Sequence, residues 1–275
     1  MKFPRSTKSA LDAKRFVLAA LCLATGLLIS APAQTAGLTP LQQRIERERQ
    51  HLASSDVEER RDALMRLGLM KRPEASRAAV PALTDPDPTI RVAATHAIES
   101  LPGPDAVTQL TPLLQDKLEF VRREAAFALG ATRSPAATGP LTQLLTQDKE
   151  SSVRAAAAHA LGRIRDESAV PALLQTLTGE TKKKKKSTGA DNEFVRRSAA
   201  QALGDIRSRN AVAPLMATVT DEANPIELRR VAAKSLGEIG DPAAVPALQA
   251  AAAANDPYLA RAAHEALLRL RNAPR

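Results

Sequence analysis

Residues 148–162 read DKESSVRAAAAHALG, and how this stretch is read decides the fold. An Asp opens it, a Val-Arg pair follows, and a run of small residues ends in Ala-Leu-Gly. The same order returns as DKLEFVRREAAFALG at 116–130, DNEFVRRSAAQALG at 191–204 and IELRRVAAKSLG at 226–237. Self-similarity at a fixed period is the signature of stacked repeats, and it takes precedence over any residue-level reading.

Aligning each copy on the Leu of Ala-Leu-Gly, or its equivalent, picks out Leu67, Ile98, Leu129, Leu161, Leu203, Leu236 and Leu267. The spacings are 31, 31, 32, 42, 33 and 31 residues. The long interval exceeds its neighbours by the ten residues 181–190, TKKKKKSTGA, which read as an insertion. Between the copies runs a second phrase, AVPAL at Ala79, AVTQLTPLL at Ala106, AVPALLQTL at Ala169, AVAPLMATV at Ala211 and AVPALQAAA at Ala244. A Pro early in a helix is tolerated, because its missing N–H would have no intrahelical partner there. Each unit therefore reads as two antiparallel helices joined by short turns. With the charged helix LTPLQQRIERERQHLA at 38–53, about seven helix pairs are expected over residues 38–272.

Composition agrees with close-packed helices. Aromatics make up 2% of the 275 residues and Trp is absent, whereas Ala and Leu recur throughout. The formal net charge of +9 is unevenly spread: residues 1–33 hold a net +4 and Lys182, Lys183, Lys184, Lys185 and Lys186 supply five more charges. The rest is close to neutral, so the body reads as no general polyanion binder, and no nucleic-acid partner is expected.

At the N-terminus, basic residues precede the apolar run FVLAALCLATGLLI at 16–29 and then Ala31-Pro32-Ala33. Small residues at those positions mark a signal-peptidase site after Ala33. The run is shorter than the roughly 20 residues that a spanning helix needs. Residues 1–33 thus read as a cleavable signal peptide, with a secreted or periplasmic destination. Cys22 is the one cysteine, so the mature chain has no disulfide and no thiol site.

The phrases D-x-x-x-x-V-R-x-x-A-A-x-A-L-G-x-I and A-V-P-A-L resemble HEAT repeats, most closely the HEAT-like repeats named after the phycobilisome lyases. The resemblance covers nearly all of the mature chain. It implies an all-α fold, a right-handed α-α superhelix of the armadillo type. The first and last copies depart from the pattern: Glu59-Arg60 replaces Val-Arg, and Arg261 falls one place late. Atypical end units are expected of a stack that must cap its ends. The Gly of Ala-Leu-Gly is read as a left-handed residue closing the second helix. The resemblance further implies that Arg60, Arg91, Arg122, Arg154, Arg196 and Arg229 pair with Asp85 or Asp87, Asp116, Asp148, Asp191 and Asp221 in a structural ladder.

Function then belongs where the copies differ. In such solenoids the second helix of each pair lines the concave surface. The column five residues after the Arg runs Met65, His96, Phe127, His159, Gln201, Lys234 and Glu265. That mixture suits a protein partner better than a repeated catalytic device. His96 and His159 lie two units apart, about 20 Å at a helix spacing of about 10 Å, too far to share a metal whose ligand bonds are near 2 Å. His51 and His264 read as solvated helix residues. No G-x-S-x-G, P-loop, H-E-x-x-H or EF-hand loop occurs. No catalytic residue, metal or cofactor is therefore assigned.

The enzymatic alternative is a HEAT-like oxidoreductase related to deoxyhypusine hydroxylase, or a lyase-type chaperone. The first is implied to need several His-Glu dipeptides, and this chain has only His264-Glu265. The lysine run reads as a solvated insertion, since five like charges repel one another. The sharper reading is docking to an anionic membrane surface.

Overall fold

In a computed structural model, the structure describes residues 37–179 and 189–272, with the backbone alone at 189–192. The signal segment 1–33, Lys182 to Lys186 and the side chain of Asp191 lie outside the described residues. Fourteen α-helices and no strand occur among the described residues. In chain order they are α1 (Pro40–His51), α2 (Val57–Leu69), α3 (Pro73–Ala79), α4 (Pro88–Ala97), α5 (Gly103–Leu110), α6 (Glu119–Thr132) and α7 (Thr138–Gln147). Then follow α8 (Ser151–Ile164), α9 (Val170–Thr178), α10 (Gly189–Ile206), α11 (Val212–Thr220), α12 (Ile226–Ile239), α13 (Val245–Ala252) and α14 (Pro257–Asn272). Two compact units divide between Arg47 and Glu48, within α1. The first unit's described part is the start of α1, where Thr39 and Gln42 form a reciprocal cap: Gln42 Oε1 accepts from the Thr39 N–H at 2.8 Å and Thr39 Oγ1 accepts from the Gln42 N–H at 3.3 Å.

The second unit, Glu48 onward, is the solenoid. Each odd-numbered helix from α3 packs on the even-numbered one that follows it, and the even-numbered helices pack on each other along the stack. The periodicity explains the core. In α6, Val121, Ala125, Ala128 and Leu129 fall on one helical stripe and are all buried. Leu67, Leu129, Leu161, Leu203 and Leu236 of the aligned column are each 0% exposed. Truncating such a leucine costs about 2–5 kcal/mol, through lost transfer energy and the cavity left behind.

Prolines shape the first helices in two ways. Pro171 and Pro246 sit in the first turn of α9 and α13, as a Pro at a helix start should. Pro81 and Pro112 fall later, and there the α-helix gives way to 3-10 turns at Val80–Thr84 and Thr111–Gln115. A proline inside a helix donates no bond and crowds the carbonyl four residues back.

The repeated glycine is not the left-handed closing residue. Gly68, Gly130, Gly162, Gly204 and Gly237 lie within helices and have no positive φ. Three residues after each comes the left-handed position: Lys71 (φ 48°), Arg133 (52°), Arg165 (63°), Arg207 (63°) and Gly240 (78°). The glycine is there because the next helix touches it. A Cβ on Gly130 would stand 2.7 Å from Ala160 Cα, and one on Gly237 would stand 2.7 Å from Ala266 Cα. Glu99 takes the glycine's place in α4's unit, and the α4–α6 pairing is the sparsest between successive second helices. Leu268 takes it in the last unit and is exposed.

Candidate functional site

The ladder arginines recur in six of the chain's own repeats, and their geometry shows what they hold. Arg60 donates through Nε and Nη2 to Asp85 at 2.9 and 3.1 Å, Arg91 to Asp116 at 2.8 and 3.1 Å, and Arg122 to Asp148 at 2.6 and 3.0 Å. Each carboxylate belongs to the following unit. The remaining Nη1 donates back to carbonyls of the arginine's own loop, Asp85 O for Arg91 and Asp116 O for Arg122. One guanidinium thus ties two units together and fixes a turn. Burial acts to raise the Asp116 carboxyl, but hydrogen bonds from Arg91 and the Leu118 N–H outweigh it and hold the group below the usual carboxylate value. The Asp148 hydrogen bond raises the Arg122 guanidinium further.

The ladder departs from the expected pattern at Arg196, while the Asp191 expected opposite Arg154 lies outside the described side chains. Arg154 donates to Asp148 O and Lys149 O of its own loop. Arg196 donates to Leu177 O at 2.7 Å and to Asn224 Oδ1 at 2.8 Å, and no ion pair joins it to Asp221 among the described residues. The reason is loop length. Eight residues separate Asp221 from Arg229, against six between Asp116 and Arg122 or Asp148 and Arg154. The two extra residues bring Asn224 to the acceptor position instead. Without a paired acid, burial lowers the Arg196 guanidinium.

The seven-residue column sits elsewhere, on the solvent-exposed side of the even-numbered helices. Met65 (58% exposed) and Phe127 (36%) are open, as are His96, His159, Lys234 and Glu265, while Gln201 is half-buried. Neighbouring units link their members. The Phe127 and His159 rings meet edge to face, with centroids 5.7 Å apart and planes at 72°. Gln201 Nε2 donates to Asp205 Oδ1 at 3.1 Å and to Glu238 Oε2 at 3.2 Å, and Lys234 Nζ reaches Gln201 Oε1 at 3.5 Å. His96 faces Glu99 at 3.3 Å. His51, expected to be merely solvated, is half-buried and hydrogen-bonded to Glu59 at 2.5 Å. Among the described residues, no group of three or more His, Cys, Asp or Glu is placed to hold a metal ion.

Two flanking features were missed in reading the sequence. Leu69, one turn beyond Met65, is 70% exposed and extends an apolar patch on α2. Near the other end, Arg230 of α12 lies over the Tyr258 ring of α14, 4.8 Å from its centroid. A groove of about 320 Å³ there is lined by Arg230, Lys234, Tyr258, Arg261, Glu265 and Arg269. The doubled arginines of ERR (59–61), VRR (121–123 and 195–197) and LRR (228–230) were the available signal. The first of each pair stands at the ladder position, and the second stands four residues before a column residue, on the same helical stripe.

The family profile of HEAT repeats matches residues 45–129, 113–190 and 185–268. The chain belongs to the HEAT-repeat family. No curated protein matches its sequence. Among solved structures, this HEAT-repeat protein is similar to Escherichia coli YibA, at 17% identity over 99% of this chain and 100% of that one, with a TM-score of 0.56. It also matches the CpcE–CpcF complex of phycocyanin lyase from Nostoc sp. PCC7120 (26% identity, 88% and 89% coverage, TM-score 0.48). Human deoxyhypusine hydroxylase matches at 20% identity, 84% and 97% coverage and a TM-score of 0.42. The likeness to YibA concerns the fold alone.

Proposed function

We propose that this HEAT-repeat protein is an exported scaffold that binds a protein partner along the face of its second helices, without catalysis of its own. One observation carries the reading. Along that face the exposed column changes residue in every unit, whereas the buried columns repeat. A solenoid of this kind presents an extended concave surface.

The face is graded. Met65, Leu69 and Phe127 offer apolar contact toward the N-terminal side, and Arg230, Lys234, Arg261 and Arg269 offer cations toward the C-terminal side. The partner segment that fits carries an apolar stretch at one end and acidic residues at the other. Proximity labelling in the native compartment, followed by binding of the labelled protein to wild type and to the Phe127→Ala, His159→Ala, Gln201→Ala triple variant, tests this. The expected result is at least a tenfold loss with the circular-dichroism spectrum unchanged. Equal binding by the variant overturns the assignment to this face, and stoichiometric iron in the purified protein overturns the non-catalytic reading.

Export rests on residues 1–33, and N-terminal sequencing of the mature protein is expected to begin at Gln34. Lys182 to Lys186 add docking to an anionic membrane surface, the cations supplying roughly 1 kcal/mol each near such a surface. Cosedimentation with phosphatidylglycerol vesicles at low salt should be lost on changing all five to Ser.

A further inference from the structure

Beyond residue 33 the chain has four aromatic residues, Phe120, Phe127, Phe194 and Tyr258, and none of them serves the core. The buried apolar side chains among the described residues are all Ala, Val, Leu or Ile. The four aromatics stand instead on second helices, with Phe127, Phe194 and Tyr258 exposed and Phe120 half-buried. A large aromatic kept at the surface forgoes its burial, and surface aromatics and arginines are the side chains that most often anchor a partner. Two of the four carry an arginine. Arg197 lies 5.9 Å from the Phe194 centroid on the same helix, and Arg230 lies 4.8 Å from the Tyr258 centroid across two units. The second pair lines the groove between α12 and α14.

That groove collects the departures of the last unit. In α14 the ladder position holds Ala260, and the arginine one place on, Arg261, lines the groove instead. The Tyr258 ring, Val231 and Ala262 give the groove apolar surface. Arg230, Lys234, Arg261 and Arg269 line it with four cations, against the carboxylates of Glu227 and Glu265. Glu227 pairs with Arg230 and so helps to hold that guanidinium over the ring. Lys234 lies 3.6 Å from Glu238. No carboxylate stands within ion-pair distance of Arg261 or Arg269 among the described residues, so the positive excess sits on α14.

We propose that this groove docks a partner-protein segment in which an aromatic residue is flanked by acidic ones. The proposal rests on the second-helix face as a partner surface and names the chemistry at its C-terminal end. The partner's aromatic ring packs against Tyr258, Val231 and Ala262, where offset or edge-to-face contact is favourable. The neighbouring carboxylates meet Arg261 and Arg269 through charge-assisted bonds. Glu227 and Glu265 repel a densely charged chain, so the spaced carboxylates of a peptide suit the groove better than a run of phosphates. At about 320 Å³ the groove is at the small end of ligand sites, with room for one large side chain.

The test titrates the mature full-length protein into a fluorescein-labelled peptide, Glu-Glu-Phe-Glu-Glu amide, at low salt and reads fluorescence anisotropy. The expected result is saturable binding, weakened about tenfold when the peptide's Phe is replaced by Ala and abolished when its Glu residues are replaced by Lys. Tyr258→Ala and Arg261→Glu, both at exposed positions, should each weaken binding about tenfold with the circular-dichroism spectrum unchanged. Phe194→Ala removes the other aromatic–arginine pair, outside the groove, and should leave binding as in wild type. No binding by wild type, equal binding of the alanine peptide, or undiminished binding by Tyr258→Ala or Arg261→Glu overturns the proposal. Tighter binding of polyphosphate than of the peptide overturns it as well. Such a failure leaves the second-helix face standing, because the Phe127→Ala, His159→Ala, Gln201→Ala variant tests that face separately with the natural partner.

Discussion

Gly162 faces Ala202 so closely that a Cβ on the glycine would stand 2.9 Å from Ala202 Cα and 3.1 Å from its Cβ. Backbone, not a flexible side chain, occupies the space, so an added methyl must push α8 and α10 apart. Gly162→Ala is expected to destabilise by about 1–3 kcal/mol, the usual cost of overpacking. Gly139, inside α7, has nothing within 4 Å of where its Cβ would be. Gly139→Ala should therefore stabilise by about 0.5–1 kcal/mol through helix propensity alone. Urea denaturation of the two variants, read against wild type, should give opposite signs.

Arg165 ends α8 at φ 63°, a backbone conformation that strains any residue with a Cβ. Gly240 fills the same place after α12. Arg165→Gly is expected to stabilise the fold by about 0.5–1 kcal/mol, and thermal melts check it.

Arginines with and without a carboxylate partner should respond differently to their own loss. Arg122→Ala leaves the nearly buried Asp148 carboxylate without its partner, its side chain being only 6% exposed. Breaking such a pair costs about 3 kcal/mol. Arg229→Ala abandons no carboxylate and should cost under about 1 kcal/mol. Equal losses would show that the ladder's strength does not come from its ion pairs.

Acid should weaken the ladder in a defined window. The native Asp116 carboxyl sits below its ordinary value, so the unfolded chain binds the proton more readily. The stabilisation is present above the unfolded value, about 3.9, and fades as pH falls through the lower native value. Stability measured from pH 6 down to pH 2 should fall, and Asp116→Asn should be less stable than wild type at pH 6 with the gap closing at pH 2.

Burial without a partner predicts the reverse effect at one site. Ser235 is 0% exposed and its Oγ has no hydrogen-bond partner. Replacing an unsatisfied hydroxyl by a methyl-sized group removes a desolvation cost, so Ser235→Ala should be neutral or stabilising by up to about 1 kcal/mol. Chemical denaturation at neutral pH reads this directly.

Period and spacing were legible because each repeat is one local unit whose hydrophobic stripe recurs every 3.6 residues. The helix count, the buried leucine column and the family all follow from DKESSVRAAAAHALG and its copies. Other properties depend on distances between units, which no local pattern encodes. The glycine looked like a helix end and proved to be a contact point, because only the stacked structure places Ala202 against Gly162. Asp221 stood in the aspartate column, yet a loop two residues longer put Asn224 against Arg196. Repetition along the chain determined which residues hold each unit together. Only the packing of one unit on the next decided which acceptor each arginine met.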